Sequence, residues 1–535
     1  MPAGDGVLFI NGRIRTLDPS RPRAEALAVI GGRIVAVGSS SDLRGAFPRL
    51  PVRDLGGRAV LPGFIDAHIH LPALGLGLRR LDLRHTRSIG EAAALVARAA
   101  AQARPGEWIQ GQGWDKNVWS EDRFPTRADL DPVAPHHPVV LSSKDGHLLW
   151  VNTAALRAAG IDRRSPDPPG GAIARDSRGE PTGILKEAAK DLVWRIVPET
   201  GVDLLEAAIL EAQRLLHRQG ITGVHHFTGT AGYDGPPTFA AFQSLAARGR
   251  LRLRVWMAIP ERALESARAV GLRTGFGGEW LRVGPVKIFA DGTLGSQTAA
   301  MLEPFEGQAD NTGIAIHSRE ELTELVGRAV GGGFWCAIHA IGDRANRWAL
   351  DAYQVHHEAS RALGARHRIE HVQLVHPDDL PRLARLGVTA SMQPVHATSD
   401  RDMADRYWGA RSRTAYAWRS LLRAGTLLAF GSDAPVETAE VFEGLYAAVT
   451  RRRPREPDRP GWYPEEALEV EEAILAYTAG AAYAAGQESV QGRLAEGCFA
   501  DFVVLDRDIL TCPQEDLLNA TVELTVVGGE VVYEG

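Results

Sequence analysis

Between residues 221 and 433, seven short strand-like stretches alternate with helical segments. They cover 221–227, 251–257, 284–290, 333–339, 367–371, 388–392 and 426–433. Strands separated by helices pair in parallel, because the helix carries the chain back across the sheet. Residues 64–70, FIDAHIH, add an eighth strand. Eight is the number that closes a (β/α)8 TIM-like barrel, so the expected class is α/β.

The two ends of the chain read differently. Residues 7–10 and 13–17 flank Asn11-Gly12, 27–30 and 33–37 flank Gly31-Gly32, and 524–527 and 530–533 flank Gly528-Gly529. Each dipeptide suits a tight hairpin turn. With 499–505 as a further strand, residues 1–60 and 490–535 are expected to form one discontinuous β-sandwich domain. It would clasp a central barrel of residues 61–489. Residues 72–200 break the strand–helix rhythm and read as an insertion after the first barrel strand, lying over the mouth where such barrels bind substrate.

Composition narrows the function. A formal charge of −6 and a pI near 6.3 give no nucleic-acid footprint. No segment approaches the ~18 consecutive apolar residues of a membrane span, and MPAGDGVLFING lacks the basic and apolar regions of a signal peptide. Cys336, Cys498 and Cys512 supply no disulfide framework, which fits a reducing cytoplasm. A small-molecule substrate is expected; the residues leave homo-oligomerisation open.

The chemistry gathers at strand ends. His68 and His70 share one face of their strand, a spacing that suits one metal ion but is also compatible with two ordinary polar residues. Lys287 lies within the fourth strand, His339 ends the fifth, His371 the sixth and Asp433 the eighth. In a barrel these ends ring one cavity. Four His, one Lys and one Asp suffice for two divalent ions with room for solvent. Lys287 is also conspicuous by type: only five of the 60 basic residues are Lys (Lys116, Lys144, Lys186, Lys190 and Lys287).

Neighbouring residues carry weaker expectations. Asp66 can orient a ligand or form a lower ion pair, and Asp343 reads as a helix N-cap. Glu370 alternates with His371 and is expected to face the outer helices. Cys336 is expected to pack, and one of His225 and His226 could enter the cavity. Trp114, Trp119 and His147, on the insertion, are candidate pocket walls, although the two rings could equally pack the insertion's own core.

Several motifs together resemble the amidohydrolase superfamily of metal-dependent hydrolases, in the YtcJ-like branch that contains N-substituted formamide deformylases. They are LPGFIDAHIHL (61–71), VKIFADGTLGSQTAA (286–300), HAIGDRA (339–345), RHRIEHVQ (366–373), MQPVHATSD (392–400), GSDAPVE (431–437) and ADFVVLDRDIL (500–510). The resemblance implies that His68, His70 and Asp433 bind one metal and His339 and His371 a second. It implies that Lys287 bridges both as a carbamate formed from carbon dioxide. Zinc suits such a donor set. Asp433 would serve as proton shuttle in hydrolysis of an amide-type C–N bond. Gln297 stands where relatives commonly carry Arg, which points to a different substrate preference, and His396 joins Trp114, His147 and Gln297 as a candidate substrate contact. A deaminase, a cyclic-amidine hydrolase or an ester or lactone hydrolase on the same barrel is the alternative, and a non-catalytic metal-bound scaffold a further one. Deaminating relatives generally lack the bridging Lys.

Overall fold

The computed structural model describes residues 6–535 except 79, 199, 228–234, 455 and 457. The first five residues of the N-terminal stretch considered above therefore lie outside the described residues. The centre is an eight-stranded parallel sheet: β1 (Phe64–Ile69), β2 (Ile221–His226), β3 (Arg254–Pro260), β4 (Leu281–Phe289), β5 (Cys336–Ala340), β6 (Arg368–His371), β7 (Thr389–Met392) and β8 (Leu428–Phe430). All eight expected strands are present, in sequential spatial order.

The ring closes where β8 meets β1, through the segment just after β8. Asp433 N donates to His68 O at 2.7 Å, and His70 N donates to Ala434 O at 2.9 Å. Gly431 allows this approach: a Cβ there would lie 2.3 Å from His68 N. The outer layer is helical. Helix α1 (Val202–Arg218) buries Leu205, Ile209, Ala212 and Leu216 on one face, a spacing that matches the helical repeat. It stops at Gly220, whose φ of +73° is left-handed and where a Cβ would meet Val503 at 2.8 Å.

Both chain ends contribute to a pair of sheets. One holds Gly6–Ile10, Ala26–Ile30, Arg33–Gly38 and Val52–Asp54; the other holds Arg13–Arg15, Arg23–Ala24, Ala59–Pro62, Phe502–Leu505, Val522–Val527 and Glu530–Glu534. Phe9, Leu27, Val29, Phe502, Val504 and Val526 pack in the apolar cluster they share. The turns at Gly31-Gly32 and Gly528-Gly529 are hairpins, with Ile30 opposite Arg33 and Val527 opposite Glu530. Asn11-Gly12 is not. Its flanking strands enter different sheets, Gly6–Ile10 pairing with Ala26–Ile30 and Arg13–Arg15 with Arg23–Ala24. A local turn signal does not specify pairing when each strand has a better partner elsewhere.

A buried ion pair ties these sheets to the barrel. Asp501 accepts both Arg254 Nε and, at 2.9 Å, Arg254 Nη2, and also Gly528 N at 2.8 Å. Asp501→Ala should cost about 3–5 kcal/mol, because Arg254 would stay buried and uncompensated. Thermal unfolding checks this; an unchanged Tm would show that the pair does not hold the two parts together.

Between β1 and β2 lies the insertion, a six-stranded mixed sheet running in spatial order Gly171–Arg175, Pro181–Glu187, Leu148–Val151, Val139–Ser143, Ile109–Trp114 and Leu81–Asp82. It has two apolar clusters of its own, one around Trp114, Trp119 and Trp150, the other around Val140, Leu149 and Leu185. Among the described residues no helix is long and apolar enough to cross a membrane.

Candidate active site

The six strand-end residues converge at one end of the barrel. All of them line a single cavity that is also walled by the insertion. Ring centroids lie 5.5 Å apart for His68 and His70, 4.9 Å for His68 and His371, and 4.5 Å for His339 and His371. Asp433 follows β8 with a left-handed φ of 59°, a conformation uncommon for a non-glycine residue and frequent at functional sites.

Each of the four histidines spends one ring nitrogen on a protein acceptor. His68 Nδ1 is 2.6 Å from Glu370 Oε2, His70 Nδ1 2.9 Å from Phe227 O, His371 Nδ1 2.8 Å from Gln393 Oε1, and His339 Nε2 3.1 Å from Gly292 O. An oxygen acceptor requires the facing ring nitrogen to carry the proton, so a neutral ring keeps a lone pair on the other nitrogen. Metal-binding histidines are oriented in this way. Burial, reinforced by neighbouring cationic groups, holds His339 and His371 well below the ordinary imidazole range and lowers His68 to about 4, which favours neutral rings.

Among the candidate ligands two atoms are buried without a hydrogen-bond partner, His68 Nε2 and Asp433 Oδ1. Such orphans are costly unless an ion meets them. Asp433 Oδ1 lies 3.0 Å from His70 Nε2 and 3.6 Å from His68 Nε2. His68, His70 and Asp433 can each bring a ligand atom within 4.8 Å of the others, as can His371, His396 and Asp433. The donor set fits a divalent cation. His339 belongs to neither three-residue group, although its ring adjoins His371.

Lys287 is buried between Phe227 and Phe289, its Nζ 5.1 Å and 4.6 Å from their ring centres. Burial lowers its pKa to about 8, against the opposing pull of Glu370 and Asp433. Burial alone would raise the Asp433 carboxyl, but the hydrogen bond from His396 Nε2 to Oδ2, at 3.1 Å, and the proximity of His70 and His68 outweigh it and keep the group well below the ordinary range.

Glu370 corrects a sequence expectation. It does not face the outer helices but lies fully buried inside the barrel, against His68 and Arg368. His371 has a φ of 76°, so strict alternation fails at the strand end and both side chains turn inward. Arg368 continues the network to His225 Nδ1 at 2.8 Å and to Ala67 O at 2.6 Å. His225 therefore sits within the barrel, whereas His226 packs on Phe242. Glu370→Gln should weaken metal affinity about 10- to 100-fold, since partners that orient a ligand typically contribute that much. Competition with a chelating dye, on protein shown to be folded, reads the effect. Unchanged affinity would mean that Glu370 does not orient His68.

Asp66 acts through the backbone. It accepts Ser432 N at 2.9 Å, Ser432 Oγ at 2.5 Å and His68 N at 3.1 Å, so it pins the Asp433 segment to β1. Among the described residues it has no ion-pair partner. Asp343 is the first residue of a helix, Asp343–Val355, whose N-cap is Gly342; its carboxylate accepts Leu302 N at 2.8 Å. Cys336 is a buried free thiol.

The candidate pocket walls separate. His147 lines the cavity, its ring stacked 5.2 Å from that of His339. Trp114 contributes to the lining but is buried, donating from Nε1 to Leu141 O at 2.9 Å. Trp119 belongs to the insertion's core, and its Nε1 donates to Thr86 Oγ1 at 3.0 Å. His396 lines the cavity beside Asp433. Gln297 does not: Thr293, Leu294, Gly295 and Ser296 form that wall, and the left-handed turn at Gln297 (φ 55°) carries the chain past it. Two residues not anticipated from the sequence shape the same wall. Asp291 accepts Ala300, Ile341 and Gly342 N, and Glu187 accepts from His147. The ADG segment that follows β4 (290–292) is the available signal for Asp291; Glu187 has none.

A sequence model of the amidohydrolase family matches residues 51–533. The chain is 34% identical over 530 residues to a putative amidohydrolase, YtcJ, of Bacillus subtilis, covering 98% of this chain and 99% of that protein. It is 31% identical over 554 residues to the N-substituted formamide deformylase of Arthrobacter pascens, covering 99% and 98%. Among solved structures, an uncharacterized metal-dependent hydrolase of Pyrococcus horikoshii superposes with a TM-score of 0.77 at 28% identity, over 95% of this chain and 99% of that one.

Proposed function

Because the chain belongs to the amidohydrolase family and is a hydrolytic enzyme of carbon–nitrogen bonds, we propose that it cleaves small N-substituted amides of the formamide type at a two-metal centre. The observation that carries this reading is the histidine set, in which four rings each give one nitrogen to a protein acceptor around the orphaned Asp433 Oδ1. His68, His70 and Asp433 would hold one ion, and His339 and His371 the other, with zinc the ion best suited to these donors. Lys287 would supply the bridge. Its neutral amine adds to carbon dioxide, forming an N–C bond and releasing a proton, to give an anionic carbamate with two oxygen donors. An Arg could not react in this way.

Divalent ions bound there would supply water of lowered pKa and polarisation of the scissile carbonyl. The remaining work falls to side chains. Asp433, ionised and hydrogen-bonded to His396, accepts the proton of the attacking water. It then delivers that proton to the departing nitrogen, which leaves as an amine. His396 holds Oδ2 in place so that Oδ1 faces the cluster. The insertion contributes residues 112–117 and 142–148 to the cavity wall, and the low dielectric of a buried wall strengthens each of these interactions.

Metal analysis combined with a panel of formamides, N-acyl amino acids and lactones tests this reading. Two equivalents of metal and formamide turnover are expected. Turnover confined to lactones would move the assignment to ester hydrolysis, and loaded metal with no turnover on any C–N or C–O bond would favour a non-catalytic role.

A further inference from the structure

The insertion places one polar residue against the metal-ligand cluster that the mechanism above does not use. His147 stands over the ends of β4 and β5, near Phe289 and His339. Asp433 follows β8, on the other side of the ring, so a substrate between them is flanked by a carboxylate from the barrel and an imidazole from the insertion. His147 Nδ1 is 2.7 Å from Glu187 Oε2. Both residues are buried, and Glu187 holds a left-handed φ of 48°, a backbone cost that the surrounding contacts must sustain. Glu187 is itself fixed: Thr298 Oγ1 donates to its Oε1 at 2.6 Å, and Thr298 Oγ1 in turn accepts Thr293 N at 3.0 Å.

This arrangement decides which ring nitrogen of His147 is which. A carboxylate oxygen only accepts, so Nδ1 carries the proton. In the neutral ring Nε2 is then an acceptor, on a residue that lines the cavity. The geometry points to His147, oriented by Glu187, as a specificity-determining residue that accepts a hydrogen bond from an N–H of the substrate. It selects secondary amides over N,N-disubstituted amides and esters, which offer no such proton. The inference rests on the amide reading given above and adds the class of amide. Glu187 is a positioning residue, acting through His147.

Glu187→Gln gives a signature that mere structural support would not. Thr298 still requires an acceptor, so the amide oxygen should face Thr298 and the amide nitrogen His147. The ring must then accept at Nδ1 and carry its proton on Nε2, which turns the cavity-facing acceptor into a donor. Three probes read this change: N-cyclohexylformamide, N-cyclohexyl-N-methylformamide and cyclohexyl formate. His147→Phe, which keeps a stacking ring, should lower kcat/KM for the first by about tenfold more than for the other two, the effect of one hydrogen bond. Glu187→Gln should also lose the preference for the first probe, with metal content retained. Equal losses on all three probes would overturn the inference, and loss of metal in His147→Phe would make His147 a ligand instead. Calorimetric binding of the two formamides to metal-loaded Asp433→Asn protein reads the same discrimination without turnover. If wild-type protein hydrolyses none of the probes, the amide reading falls; if it hydrolyses them but the binding preference is the same with and without His147→Phe, this inference alone falls.

Discussion

Lys287→Ala should fold yet lose metal and activity together. The side chain lies in the centre of the site, buried against Phe227 and Phe289 within reach of the four-histidine cluster. Without the bridge, the second ion would keep only His339 and His371 as protein ligands. Two ions in proximity would also lose the anion that screens their repulsion, and the loss should therefore exceed that of an ordinary ligand. Lys287→Arg should do no better, because a guanidinium stays protonated and does not take up carbon dioxide. Added short carboxylic acids should restore part of the activity of Lys287→Ala by entering the space left by the side chain. Metal content by plasma emission and formamide turnover check the pair. Full metal loading with retained activity would remove Lys287 from the site.

Asp433→Asn should lower turnover by roughly 10²- to 10⁴-fold, the usual contribution of a general acid–base group, while the protein folds and keeps at least one metal. Asn preserves the shape and the hydrogen bonding of the strained turn after β8 but has no carboxylate to take a proton. Its neighbours reinforce the choice: His396 secures Oδ2, and Asp66 anchors the preceding Ser432. Rates on a chemically activated amide, whose leaving amine needs less protonation, should fall least. Equal rates for wild type and variant would assign the proton transfer to another group.

The barrel was legible in the sequence because its signals are strong and local. Eight strand-like runs, five of them carrying a candidate ligand at or near the C-terminal end, leave little freedom once they must close into one sheet. His68, His70, Lys287, His339, His371 and Asp433 therefore reach one cavity as anticipated. The misreadings arise where backbone geometry departs from the regular repeat. Strict alternation from His371 puts Glu370 outward; in the fold Arg368 and Glu370 alternate regularly and both face inward, and it is His371, with its left-handed φ, that departs from the repeat. Asn11-Gly12 has the composition of a hairpin turn, yet the flanking strands enter different sheets. Gln297 is adjacent in sequence to wall residues, but its own left-handed turn takes it off the wall. Glu187 lies 40 residues from His147, and a contact between the end of one insertion strand and the turn before another leaves no periodic trace.

The central claim is the carbamate on Lys287, and carbon-13 NMR of metal-loaded protein equilibrated with carbon-13 bicarbonate tests it most directly. A protein-bound carbamate resonance is expected, absent from Lys287→Ala and lost when metal is removed. Full activity with no such resonance, and an unmodified amine at Lys287, would contradict the bridged two-metal centre and favour hydrolysis at a single metal.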